Sequence, residues 1–152
     1  MDTRLDFEPA TTGHGELLQQ LVQRYFTHDH IPYDEQEVRA GLMQLLQDGN
    51  LGRAWIILKD GEAVGYAVLS FHFDHELGGR TGIMTDLYLE PAHRKQGLGT
   101  EAMHFIEAQA AGFGLRALEL QVERSNFAAQ ALYRKMGFVT FDRMPMAKRL
   151  PR

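Results

Sequence analysis

Residues 83–100 read Ile83-Met84-Thr85-Asp86-Leu87-Tyr88-Leu89, Glu90-Pro91-Ala92-His93, then Arg94-Lys95-Gln96-Gly97-Leu98-Gly99-Thr100. The first seven are apolar enough for a central strand. From Thr100 to Phe113, Met103, Ile106, Ala110 and Phe113 recur at helical spacing. Two basic residues and two glycines therefore separate a strand end from a helix start. Glycines let a ligand approach the backbone without a Cβ in the way, and a helix N-terminus offers unbonded N–H groups and a positive dipole end. The stretch predicts a site for a pyrophosphate-bearing ligand.

Working outward, Leu5 to Glu8 suits a short first strand. Gly15 to Phe26 carries Leu17, Leu18, Leu21, Val22 and Tyr25 at helical spacing. His28-Asp29-His30-Ile31-Pro32 reads as a polar interhelix loop rather than a metal site, because no third ligand lies at a suitable spacing. Asp34, with Glu37 three residues on, starts a second helix whose stripe is Val38, Leu42, Leu45 and Leu46. Ala54 to Leu58 and Ala63 to Phe73 form an antiparallel pair about Asp60-Gly61. Beyond the central helix, Ala117 to Val122 alternates as a strand and Ser125 or Asn126 caps a helix over Phe127 to Met136. Phe138 to Phe141 and Met144 to Leu150 predict a closing hairpin. The order defines a mixed α/β layout of the α+β type, with residues 1–152 as one domain.

Composition narrows the function. A chain of 152 residues holds one domain with a real core, and its 44% apolar and 24% charged content is ordinary for a globular protein. A net charge of −4 without a basic face argues against nucleic-acid binding. Cysteine is absent, which removes thiolate catalysis and Cys-ligated metal, and no metal site is expected. No apolar run approaches the roughly 20 residues that span a bilayer, and Met1 to Asp6 lacks an apolar leader core. The expectation is a cytoplasmic protein with no membrane contact. No Gly-Lys-Ser/Thr follows the glycines, against a P-loop. ATP or NAD at the same glycines is a competing reading.

Arg94-x-x-Gly97-x-Gly99, after a strand ending Asp86-Leu87-Tyr88-Leu89, resembles motif A of the GNAT superfamily of N-acetyltransferases. Leu120-x-Val122 followed by Asn126-x-x-Ala129-x-x-Leu132-Tyr133-x-Lys135-x-Gly137-Phe138 resembles the family's motif B. The two span roughly residues 83–138. The fold this implies is a central, mostly antiparallel sheet of six to seven strands with a splayed parallel pair, flanked by four helices. The activity implied is acetyl transfer from acetyl-CoA to a primary amine by direct attack in a ternary complex. The acceptor is a small cationic molecule or a peptide or protein amine, and relatives are often homodimers. A non-catalytic acyl-CoA-binding or regulatory domain is the alternative.

Carried onto this chain, the resemblance gives the pyrophosphate to the amides of Gln96, Gly97, Leu98, Gly99 and Thr100, with Arg94 and Lys95 adding charge. Leu87, Tyr88 and Leu89 pair through their backbone with the pantetheine arm, and the Leu89 amide or its neighbour polarises the thioester. Asn126 and Tyr133 complete the cofactor set. Tyr133 is the expected general acid, because the leaving thiolate needs a proton. Asp86 is the first candidate for base or amine-binding group, then Glu119, then His72. A charge in mid-strand demands a partner or a cleft. Strict alternation puts Asp86 on the face opposite Leu87 and Leu89, unless a bulge intervenes. Asp74 and Glu76 are additional acids, read either as drawing in a cation or, in preference, as a solvated rim.

Overall fold

A computed structural model describes residues 5–152. The leader expectation falls partly on residues 1–4 and so lies partly outside the described residues. Five strands, β1 (Asp6–Pro9), β2 (Gly52–Lys59), β3 (Glu62–Asp74), β4 (Gly79–Leu89) and β5 (Leu118–Leu120), form one sheet in sequence order. The first three pairings are antiparallel and β4–β5 is parallel. Four helices accompany them: α1 (Gly15–His28), α2 (Glu35–Gln47), α3 (Leu98–Gly112) and α4 (Phe127–Lys135). No helix among the described residues is long and apolar enough to cross a membrane.

Residues up to Gln121 make one compact unit and Val122–Arg152 a second. In the first, strand alternation sorts the side chains between two helical layers. Ala54, Ile56, Tyr66, Val68 and Tyr88 share one face and pack with Leu18, Leu21 and Val22 of α1, with Leu42 and Leu45 of α2 beside them. On the opposite face Phe105 of α3 stacks on Phe7 at 4.0 Å and meets the Trp55 ring edge-on at 5.5 Å. The expected Asp60-Gly61 turn is present, with φ of 53° and 80°, as a two-residue hairpin of the right twist requires. The Asp34 side chain accepts the Glu37 N–H at 3.0 Å and starts α2 as its sequence predicts.

One irregularity shapes the middle of the sheet. Val68 pairs with Asp86 but its neighbour Leu69 pairs with Met84, so Thr85 is an extra residue in β4. The β4–β5 ladder runs only from Gly82↔Leu118 to Met84↔Leu120 and ends one residue before that bulge. A bulge bends and twists its strand, so β4 turns away from β5 here. This is the reason β5 has three residues rather than the six expected. In the second unit, α4 forms as its sequence predicts, but residues 138–152 contain no strand. Among the described residues the sheet therefore has five strands, not six to seven. Pro145 lacks an N–H donor in the second run of the expected hairpin, and Val139, Phe141, Met144, Met146 and Leu150 are all exposed.

Candidate active site

The bulge decides what stands beside the carboxylate. Asp86 does lie on the face opposite Leu87 and Leu89, as alternation requires, and the extra residue brings Thr85 onto the same face beside it. Thr85 Oγ1 lies 2.7 Å from Ser70 Oγ, and Tyr66 Oη donates to Asp86 Oδ2 at 2.8 Å. Met84, two residues before Asp86, is sent to the other face with Leu69. Asp86 is half-buried, and the loss of solvent raises its carboxyl above the usual 3.8, while the Tyr66 bond works in the opposite direction. The same burial and the adjacent carboxylate push the Tyr66 hydroxyl far up, so it stays a donor.

Above Asp86, Thr85 and Ser70 opens a pocket of about 390 Å³. Its walls are Val22 and Phe26 of α1, Val38, Leu42 and Leu45 of α2, and Val68 of β3. Asp86 is the one ionisable side chain in the lining. Glu119 shares the Asp86 face of the sheet, since it pairs with Ile83 and Ile83 with Ser70, but it does not line the pocket. His72 is exposed near the far end of β3, opposite Thr81. Asp74 spends its side chain on the Glu76 N–H at 2.9 Å and, like Glu76, stands outside the pocket.

Next to Asp86, the backbone of β4 has an open side. The Glu90 N–H bonds to the Val64 carbonyl across β3–β4, so alternation turns the amides of Leu87 and Leu89 away from β3. The β5 ladder has ended by then. Strand separation beside an acid is what an extended ligand needs in order to add itself to the sheet edge. Tyr88 itself is buried, and its hydroxyl donates to Glu90 Oε2 at 3.1 Å.

The turn from β4 into α3 holds two left-handed residues, Lys95 at φ 60° and Gly97 at φ 77°. That backbone is what turns successive amides inward. Glycine at 97 serves this conformation. Gly99 does not, for it is helical and a Cβ there would meet nothing within 4 Å. The first helix-internal bond is Glu101 N–H to the Gly97 carbonyl, which leaves the amides of Leu98, Gly99 and Thr100 without a helical acceptor. The Gln96 side chain folds back on the Ala92 carbonyl at 3.1 Å.

Arg94 is held differently from a free phosphate ligand. Its Nε donates to the Leu89 carbonyl at 2.8 Å, its guanidinium lies over the Tyr88 ring, and its Nη1 lies 3.1 Å from His28 Nε2. His28 in turn contacts Asp29 at 2.8 Å, and Arg24 pairs with Glu90 at 2.7 Å. The end of α1 is thus tied to the end of β4. None of these partners was foreseen from the sequence. Tyr66 was the most legible omission: a tyrosine among the core positions of β3 needs a hydroxyl partner, and a mid-strand aspartate needs a donor.

In the second unit, Asn126 accepts the Ala129 N–H at 3.1 Å and so caps α4. Tyr133 is half-buried, packs edge-on against Phe138 with ring centres 5.8 Å apart, and has its hydroxyl pKa raised by burial. It therefore keeps its proton through the neutral range.

Together these features define a mixed α/β fold whose parallel strand pair parts beside a glycine-opened helix. The chain belongs to the acetyltransferase (GNAT) family, whose model matches residues 16–138. It is 35% identical over 79 residues to an uncharacterized N-acetyltransferase of Mycobacterium tuberculosis, a match covering 52% of this chain and 47% of that protein. The chain spans about half the length of the curated relatives it matches. Among solved structures, an integron cassette protein from the mobile metagenome of Cole Harbour Salt Marsh superposes with a TM-score of 0.83 at 27% identity, covering 96% of this chain and 91% of that one. The aminoglycoside N-acetyltransferase AAC(6′)-Iy, solved in complex with CoA, shares the fold at a TM-score of 0.79 and 17% identity, covering 98% and 97%.

Proposed function

We propose that this protein transfers an acetyl group from acetyl-CoA to a primary amine, residues 1–152 acting as one catalytic domain. The observation that carries the reading is the bulge in β4, which brings Thr85 beside Asp86 at the floor of a pocket, next to strand backbone that β5 has left open. The pantetheine arm adds to that open side at Leu87 and Leu89. The amides of Gln96 to Thr100 take the pyrophosphate, with the Lys95 charge beside them. Arg94 acts on this reading by bracing the Leu89 carbonyl, which fixes the amide that polarises the thioester.

The chemistry follows from the groups. An ammonium gives one proton to Asp86, directly or through a water, and the freed lone pair attacks the thioester carbon. The C–N bond forms, the C–S bond breaks, and the thiolate takes a proton from Tyr133. The second amine proton leaves as the amide forms and restores the phenol. The net reaction converts an ammonium and acetyl-CoA into an N-acetyl amine, CoA thiol and one released proton.

Thermal shifts with acetyl-CoA, ATP and NAD, followed by thiol release over a panel of amines, test the reading. Acetyl-CoA at 100 times its Kd is expected to stabilise by about 2.7 kcal/mol, with no comparable shift from the nucleotides. Tyr133→Phe is expected to lower kcat by on the order of a hundredfold while acetyl-CoA still binds. Full kcat in that variant removes Tyr133 from the mechanism, and binding without turnover on any amine makes the domain a CoA binder.

A further inference from the structure

The pocket walls and the single charge at its floor carry a conclusion about the acceptor, one that rests on the acetyltransferase reading. We propose that the acceptor is a small monoamine with an apolar alkyl or aryl body, rather than a polyamine, an aminoglycoside or a peptide.

Three observations support this. The pocket, about 390 Å³, accommodates a small molecule and is open to solvent, so its lining rather than its volume selects the ligand. Its one charge and its hydroxyls come together where Asp86, Thr85 and Ser70 offer acceptors for the three N–H bonds of one ammonium. Apart from Gln44, the other side chains of the lining, including Phe26, Leu42, Leu45 and Val68, are hydrocarbon, and a second cationic group there loses water with few partners to gain. Gln44, also in the lining, turns its amide onto its own helix at the Ala40 carbonyl, 3.2 Å away. Asp74 and Glu76, the other acids considered for attracting a cation, stand outside the lining.

Gly41 adds an independent argument. It sits in the middle of α2, in the pocket lining, and a Cβ there meets nothing within 4 Å. The fold makes no demand for glycine at this point, and a helix interior favours alanine over glycine. What it leaves is room along one wall, which suits a ligand body that lies against α2.

The test compares kcat/KM, by thiol release, for hexylamine, phenethylamine, the terminal diamine of hexane, spermidine, kanamycin and a short unblocked peptide. The two apolar monoamines are expected to exceed the diamine of equal length by at least about tenfold, the effect of desolvating an unpaired ammonium. Gln44→Glu, which adds a second carboxylate to the lining, is expected to raise the diamine-to-monoamine ratio severalfold. Gly41→Leu, a good helix former, is expected to lower the phenethylamine-to-ethylamine ratio at least tenfold. Preference for spermidine, kanamycin or the peptide overturns the acceptor class and leaves acetyl transfer standing. If no amine is acetylated, the acetyltransferase reading fails, and the thermal shift of the CoA-saturated protein with each amine still decides the pocket. Stabilisation by the monoamines alone supports the assigned class, and stabilisation by none of them, or by the polycations, overturns it.

Discussion

Asp86 is a charge in the middle of a core strand, and its donor among the described residues is the Tyr66 hydroxyl. Burial holds its folded-state pKa above the usual 3.8, so its contribution to stability is full below that value and is lost as pH rises through the folded pKa. At neutral pH the ionised carboxylate is therefore a net burden on the fold. Asp86→Asn keeps an acceptor for Tyr66 and removes the charge. It is expected to raise the Tm at neutral pH, with the gain shrinking as pH falls toward 4, and to lower kcat/KM by about 10²–10³-fold. Scanning calorimetry and thiol release on the same preparation check both halves. Tyr66→Phe separates positioning from catalysis. The hydrogen bond favours the charged carboxylate, so its loss raises the Asp86 pKa further. The acid limb of the kcat/KM profile is then expected to move to higher pH, with turnover at the alkaline plateau retained. An unmoved limb means that Asp86 is not the titrating group.

At the scale of elements, the turn between β4 and α3 uses its two glycines for different reasons. Gly97 supplies a left-handed φ of 77° that a side chain adopts only at about 1–2 kcal/mol. Gly97→Ala is expected to destabilise by about that amount in urea titration and to weaken acetyl-CoA binding as a consequence. Gly99 is helical with open space at its Cβ, so Gly99→Val leaves the fold nearly unchanged and is expected to weaken acetyl-CoA by at least tenfold, measured by calorimetric titration. This turn was legible in sequence because its chemistry is local: glycines, basic residues and a helix start within seven positions. The helices and the Asp60-Gly61 hairpin were legible for the same reason, each carrying its own cap, stripe or turn residues. The bulge at Thr85 was not. It is a property of how β3 and β4 pair, and Ile83 to Leu89 contains no glycine or proline to mark it. The short β5 and the place of Thr85 beside Asp86 on the pocket floor follow from that one register shift and were hidden together. The side of Asp86 relative to Leu87 and Leu89 was already given by alternation.

Across the whole molecule, the cost of the proposed site is carried on both faces of the sheet. Gly41 belongs to the helical layer with α1 and α2, and Gly99 opens α3, whose Phe105 packs on Phe7 and Trp55 on the other face. Neither glycine is required by its protein neighbours, since a Cβ at either meets nothing within 4 Å. Both stand in helices, where alanine is favoured over glycine by up to about 1 kcal/mol. With the sheet between them the two share no partners, so their effects on stability should add to within about 0.5 kcal/mol. The double variant Gly41→Ala/Gly99→Ala is therefore expected to be more stable by about 1–2 kcal/mol, which for a chain of this size is about 2–8 °C in Tm. Its kcat/KM is expected to fall, through KM for the amine from the first change and through acetyl-CoA affinity from the second. Those two losses should be separable by varying one substrate at a time. A fold that gains stability while losing both substrates marks these glycines as room kept for ligands. A double variant no more stable than the parent, with activity intact, would show instead that the glycines answer to the backbone alone.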